Sequence, residues 1–301
     1  MESDLACPTV TRTATTTAWT MRTRTTTTGR IRTTSTVALL RAAHIGPTIA
    51  VTTGAALLSV ASGLEGSRLA VVTAAVLAGQ LVIGWSNDLL DVGRDTAAHR
   101  RDKPLATGEL TTQAVSVALG VAAAAAVGLS AALGWRSALL HLVAVVGSGV
   151  GYNVGLKATA WSWLPYAVAF GSLPAVVSLA ASQPELPAAW IIAASIALGT
   201  AAHFLNTLPD LADDAATGIK GLPHRIGGRR SQVVATVLLL AASVVIVLGP
   251  GGSPPGVAWV GLLLVGALAV GALTGRGRMP FRCAVAIALL DVTLFVLMGQ
   301  A

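Results

Sequence analysis

Asn87-Asp88-Leu89-Leu90-Asp91-Val92-Gly93-Arg94-Asp95 closes the apolar run 68–86, and its reading decides what kind of protein this is. A second such stretch, Asn206-Thr207-Leu208-Pro209-Asp210-Leu211-Ala212-Asp213-Asp214, closes the apolar run 188–208. The chain has 13 Asp and Glu in all, and six of them are Asp88, Asp91, Asp95, Asp210, Asp213 and Asp214. Carboxylates at a membrane edge are costly to desolvate, so their concentration there points to something that binds them. On a helix each residue advances about 100°, which places Asn87, Asp88, Asp91 and Asp95 within an arc of about 100°. Asn206, Asp210, Asp213 and Asp214 occupy an arc of about the same width. Two oxygen-rich faces turned toward each other make a hard-cation site, for which Mg²⁺ carrying a diphosphate is the natural occupant.

Working outward, the chain is 54% hydrophobic and 11% charged, against about 25% charged in a soluble domain. Apolar runs near the ~20 residues that span a bilayer recur along it. We read nine, at 38–61, 68–86, 112–133, 137–156, 161–181, 188–208, 231–249, 256–274 and 281–299. The expected fold class is therefore all-α, a polytopic membrane bundle of nine transmembrane helices. With the N-terminus inside, the inner segments hold 18 of the 20 Lys and Arg, leaving only Arg68 and Arg136 outside. That asymmetry is the positive-inside rule, and it puts the N-terminus and both acidic clusters on the cytoplasmic side. The net charge of +7 reflects this topology and the N-terminal tail, so nucleic acid is not an expected partner. Residues 1–36, rich in Thr and Arg, lack the apolar content to build a core and are expected to be a disordered cytoplasmic tail ahead of a helical domain at 37–301. Cys7 and Cys283 fit neither a disulfide nor a metal spacing.

Each acidic cluster runs into a basic stretch. The first is followed by Thr96-Ala97-Ala98-His99-Arg100-Arg101-Asp102-Lys103-Pro104-Leu105-Ala106-Thr107-Gly108-Glu109, the second by a loop containing Gly218-Ile219-Lys220 and His224-Arg225. A metal-bound diphosphate is polyanionic and takes Arg and Lys as well as metal to neutralise it, so Arg94, Arg101, Lys103 and Lys220 are candidate substrate ligands. Pro209 removes a backbone donor inside the second cluster and should kink or restart the helix there.

The order N-D-x-x-D-x-x-x-D, then Lys103-Pro104-Leu105-Ala106-Thr107-Gly108, then D-x-x-D-D-x-x-x-G-I-K, resembles the UbiA superfamily of intramembrane prenyltransferases over residues 37–300. The resemblance implies a helical bundle around a central cavity open to lipid. It also implies two Asp-rich motifs that hold Mg²⁺ and an isoprenyl diphosphate. It carries catalytic and metal-binding roles onto Asn87, Asp91, Asp95, Asp210 and Asp214, beside Asp88 and Asp213 from the helical arc. Relatives carry a Tyr and a Lys four residues apart at the end of the fourth helix. Here Tyr152 and Lys157 are five apart, about 140° around a helix rather than 40°. Either Gly155 loosens the helix end so that Lys157 still reaches the diphosphate, or Asn153 replaces Tyr152 as its facing partner. Lys103 stands where Arg is commoner, keeping the charge but losing a bidentate fork.

Of the remaining polar groups, Arg41 and His44 face the cavity mouth or serve as an interfacial cation and a packed histidine. His203 shares the face of the second cluster, as a supporting residue or proton acceptor. His141 reads as packing and Asp291 as a buried acid without an assigned role. The expected chemistry is ionisation of an allylic diphosphate and prenyl transfer to an unidentified acceptor, in the bilayer and with Mg²⁺. A terpene cyclase on the same fold is the alternative, disfavoured by an aromatic content of 4%. A cation transporter would place its acids near the midplane beside discontinuous helices, unlike these rim clusters.

Overall fold

In hydrocarbon a backbone must satisfy its own N–H and C=O groups, and an α-helix does so within one segment. The computed structural model describes residues 31–216 and 218–298, with side chains except at residues 31–35, Ala212, Asp213 and Ala216, and every regular element among the described residues is helical. In order these are α1 (Ile31–Ala42), α2 (Ile45–Ala61), α3 (Gly66–Ala97), α4 (Thr112–Ala131) and α5 (Trp135–Leu139). A π-helical stretch, Leu140–Gly147, joins α5 to α6 (Ser148–Val154). Then come α7 (Leu164–Leu179), α8 (Ala189–Thr207), the short α9 (Leu211–Ala216) and α10 (Leu222–Ile226), and finally α11 (Gly228–Leu248), α12 (Gly256–Thr274) and α13 (Met279–Met298). The expectation of a disordered tail falls, up to residue 30, outside the described residues; α1 begins at Ile31, inside the stretch read as tail.

Seven helices are long and apolar enough to cross a membrane: α3, α4, the continuous Trp135–Val154, α8 with its extension to Asp210, α11, α12 and α13. The first expected span is instead two helices bent by 74°, which make an eighth if taken as one broken span. The turn falls at His44, whose φ of 54° lies in the left-handed region that few side chains adopt. The fifth expected span, α7, has 16 residues with Pro174 inside, below the ~20 needed to cross alone. A count of nine is reached only by adding α7 to the other eight.

What positions the site is the length of α3. Its 32 residues rise about 48 Å, against about 30 Å of hydrocarbon. Its last turns, with Asp88, Asp91 and Asp95, are therefore carried to the rim of the bundle. Gly84 allows this: a Cβ there would run into the backbone of Ala43, so α3 lies directly against the α1–α2 bend. Trp85 seals the same contact, its indole N–H donating to the Leu39 carbonyl at 2.9 Å. On the other side of the molecule α8, α11, α12 and α13 share a core around Phe204, Leu239, Val265 and Ile287. His141 is fully buried and bonded to Ser130 at 2.7 Å, a packing role. Asp291, also fully buried, bonds Ser243 of α11.

Candidate active site

Asp88, Asp91 and Asp95 are buried at the end of α3. Each buried charge needs a partner, and the loop after α3 supplies the first. Leu105 and Leu110 of that loop pack into the core around Val82 and Trp85, so the basic stretch folds back over α3 instead of standing in solvent. Lys103 thereby reaches Asp88, with Nζ 2.7 Å from Oδ1. His44, turned inward by the α1–α2 bend, places Nε2 3.0 Å from the same oxygen and 3.0 Å from Lys103 Nζ. Asn87 Nδ2 lies 3.3 Å from His44 Nε2. The other Asp88 oxygen is buried without a hydrogen-bond partner.

Asp91 is held by cations from two directions. Lys157 Nζ donates to its two oxygens at 2.7 and 2.6 Å, and to Asn87 Oδ1 at 3.3 Å. Arg94 lies one turn along α3, with NH2 2.7 Å from Asp91 Oδ2. Lys157 reaches in because α6 stops at Val154. Gly155, with φ 177° and ψ −22°, starts one 3₁₀ turn, Leu156–Ala158, that rotates Lys157 into the interior. Of the two alternatives raised by the five-residue spacing, the structure shows the loosened helix end. Asn153 is committed elsewhere: its Nδ2 donates to the Ile83 carbonyl at 2.8 Å and to Ser86 Oγ at 3.0 Å, tying α6 to α3. Tyr152 packs edge-on to Tyr166 and His203. Burial pulls the Lys157 ammonium below its usual range, against the opposing pull of Asp91.

At the second cluster, α8 tightens into the 3₁₀ turn Leu208–Asp210 at Pro209 and restarts as α9. Asn206 and Asp210 are exposed and Asp214 is half-buried, while the Asp213 side chain lies outside the described residues. Burial raises the Asp214 carboxyl above the ordinary carboxylate range; the charges acting on it include His224, Asp210, Arg94 and Lys157. Arg94 and Lys157, both on Asp91, thus also contribute to the field on Asp214. Arg100 belongs to the same rim. Its bidentate pair with Asp102, at 2.9 and 2.8 Å, lifts the guanidinium further and holds the Asp102 carboxyl down to about 2, while Asp210 and Asp95 add to the field on Arg100.

Several expected ligands lie apart. Arg41 is exposed and bridges to Glu109 at 3.0 Å and to the Asp102 carbonyl at 3.2 Å. Arg101 lines an open hollow of about 360 Å³ with His99, Arg100 and Thr107. Lys220 is exposed. Spacing gave no sign of His224, whose Nε2 lies 3.5 Å from Asp214 Oδ2; it arrives through the fold-back of the loop after α9. Among the described residues no three His, Cys, Asp or Glu are grouped closely enough to hold a metal ion by themselves. Asp91 is neutralised by Lys157 and Arg94 instead.

The sequence profile of the UbiA prenyltransferase family matches residues 48–294, which takes in both acidic clusters, the loop after the first and Lys157. The chain belongs to the UbiA prenyltransferase family. No curated protein matches it closely in sequence. Among solved structures, an apo UbiA homologue from Aeropyrum pernix K1 aligns with a TM-score of 0.65 at 18% identity, covering 84% of this chain and 98% of that one. A UbiA homologue from Archaeoglobus fulgidus bound to GPP and Mg²⁺ aligns with a TM-score of 0.64 at 16% identity, covering 88% and 100%. A structure concerned with digeranylgeranylglyceryl phosphate synthase aligns with a TM-score of 0.64 at 14% identity, covering 88% and 98%. These likenesses establish a shared fold, and the family together with the apolar helices makes the chain an integral membrane protein.

Proposed function

We propose that this protein transfers an isoprenyl group from a prenyl diphosphate to an acceptor within the membrane, with Mg²⁺. The observation that carries the reading is the pair Arg94 and Lys157, both held on the buried Asp91 where α3 ends at the rim of an apolar bundle. The A. fulgidus homologue, bound to GPP and Mg²⁺, supports it by fold. The domain would run over 37–301, with α7 as a ninth span lining a central cavity open to lipid. Its N-terminus and the loops after α3 and α9 would face the cytoplasm.

The donor set fits Mg²⁺: it consists of hard oxygens, and both Asp91 oxygens already engage one shared cationic group, the Lys157 ammonium. Asn87, Asp91, Asp95, Asp210 and Asp214 would hold the ion, with Asp88 and Asp213 beside them. When bound, Mg²⁺ supplies positive charge against the diphosphate. Arg94 and Lys157 then exchange part of their carboxylate contacts for phosphate oxygens, and Lys103, Arg101 and Lys220 add charge from the loops. The bond from C1 to the diphosphate oxygen breaks, its electron pair leaves with the diphosphate, and these cations stabilise the leaving group where its charge develops. The apolar bundle keeps water from the allylic cation until a nucleophilic atom of the acceptor bonds to C1 and loses its proton.

One arrangement favours the cyclase reading: Tyr152, Tyr166 and Phe204 surround His203, with ring centroids 5.1 to 5.9 Å apart, and Phe170 stacks on Tyr166 at 6.3 Å. Aromatic faces so placed stabilise migrating positive charge, and the low overall aromatic content conceals this local concentration. Product identity separates the readings. Purified protein given Mg²⁺ and prenyl diphosphates of several lengths should yield linear prenyl chains attached to a second molecule when membrane extract supplies the acceptor, and no such conjugate without it. A ring hydrocarbon or alcohol as the main product would replace transfer by cyclisation.

A further inference from the structure

Ser162 is fully buried where three segments meet, and its hydroxyl uses both of its hydrogen-bonding capacities. The Leu222 N–H, at the start of α10, donates to Oγ at 2.9 Å. The same hydroxyl is hydrogen-bonded to His203 Nε2 of α8, 3.0 Å away. Against this point lies Gly221. A Cβ there would sit 2.6 Å from the Lys157 carbonyl oxygen and 2.9 Å from Ser162 Oγ, so the loop after the second acidic cluster rests directly on the turn that carries Lys157. The same loop is tied back to that cluster, since the Ile219 N–H donates to the Asp214 carbonyl at 2.9 Å and the Ile219 side chain is buried. A path of contacts thus runs from Asp214 through Ile219 and Gly221 to the Lys157 backbone and on to Asp91, with Ser162 braced against Gly221.

We propose that Ser162 and Gly221 form a joint that locks the Lys157 turn onto the loop of the second Asp cluster, making Ser162 a positioning residue for the Lys157 ammonium. The 3₁₀ turn directs Lys157 inward, but its backbone hydrogen bonds, from the Ala158 and Thr159 N–H groups to the Gly155 and Leu156 carbonyls, lie within the turn and do not tie it to the second cluster. The joint supplies the constraint. It also means that the two halves of the site cannot open independently: lifting the loop after α9 releases Lys157 from Asp91. The consequence for substrate rests on the prenyl-diphosphate reading above; the joint itself does not.

The chain has three lysines, Lys103, Lys157 and Lys220, so lysine acylation read by mass spectrometry reports each separately. In the intact protein in detergent, exposed Lys220 should label first and Lys157 last. Ser162→Ala should raise the Lys157 rate about tenfold, the order expected for losing a buried hydrogen bond, while Lys103 labels as before. Gly221→Ala, which forces the loops apart while leaving the Ser162 hydroxyl in place, should do the same. Lys157 labelling as slowly as in the parent in both variants overturns the joint, and so does an equal rise at Lys103, which would mean Ser162 merely holds the fold together. A second measurement, binding of inorganic diphosphate with Mg²⁺, should weaken about tenfold in Ser162→Ala and show no further loss when Lys157→Ala is already present. Additive losses overturn the positioning role. Selective release of Lys157 in a protein whose parent form binds no diphosphate supports the joint and removes the proposed function instead.

Discussion

Asp91 is the point on which the site's charge converges, since Lys157 takes both of its oxygens and Arg94 takes one of them as well. In the absence of ligand this neutralises a carboxylate that burial would otherwise make costly. With a diphosphate present the same cations have a stronger anion to serve. Asp91→Ala or Asp214→Ala should abolish prenyl transfer while the protein still inserts into membranes, and excess chelator should do the same to the parent protein. Full turnover in any of the three cases contradicts the assignment. Lys157→Ala should keep the fold, because Arg94 stays on Asp91, and lower kcat by about 10²–10³, the cost of removing one preorganised donor to developing charge. Lys103 is different in kind. Its partner Asp88 is buried and already has one oxygen without a partner. Lys103→Ala leaves His44 as the remaining partner of Asp88 and should cost roughly 1–3 kcal/mol, seen as an earlier thermal transition in detergent. The Asp102–Arg100 pair is exposed and worth less than about 1 kcal/mol. Because the Asp102 carboxyl is lowered to about 2, that contribution is present above the ordinary carboxylate range and disappears as pH falls through about 2. Asp102→Asn should therefore leave the transition at pH 7 almost unmoved.

α3 does two jobs with one length of helix: its first twenty or so residues cross the apolar layer and its last turns present the acidic cluster. The α1–α2 bend and Gly84 complete the arrangement, since only a residue without a Cβ lets the bend bring His44 up to Asp88. Gly84→Ala pushes a methyl group into the Ala43 backbone, which cannot yield as a flexible side chain would. We expect a loss of about 1–3 kcal/mol, together with lower activity from displacement of His44, checked by thermal unfolding and turnover on the same preparation. Equal stability and turnover would show that the bend is soft. The turn after α6 works the opposite way. Gly155 releases the helix so that a lysine at the wrong helical angle still enters the site, which is how a five-residue spacing does the work of a four-residue one.

Both acidic clusters lie at one end of the bundle, and the charge asymmetry of the loops is the ground on which we propose that this end faces the cytoplasm. Single cysteines at Thr107 and at exposed Lys220, in a chain without Cys7 and Cys283, should react with impermeant reagents only from the inner side. Gly221 is unsuitable for this purpose, because a side chain there would break its contact with Lys157. Labelling of either position from outside would refute the orientation and, with it, the nine-span count.

The all-helical membrane architecture and the acidic face of α3 were legible in residue order, because hydrophobic length and a 100° advance per residue are local properties, whereas the arc drawn for the second cluster assumed a helix that the 3₁₀ turn Leu208–Asp210 interrupts. The break at Pro209 was readable for the same reason. Span counting was less secure where a helix bends at a left-handed His44 or where α7, cut short and carrying Pro174, is sheltered by its neighbours. Who neutralises whom was decided only in three dimensions. Lys157 and Asp91 are 66 residues apart, and His44 and Asp88 are 44 apart. Such meetings depend on where Gly155 ends a helix, how Leu105 and Leu110 pull a loop onto α3, and how Ser162 seats one loop on another. Local periodicity records which face a carboxylate occupies. It carries no information about which distant cation the packing of buried apolar groups will deliver to that face.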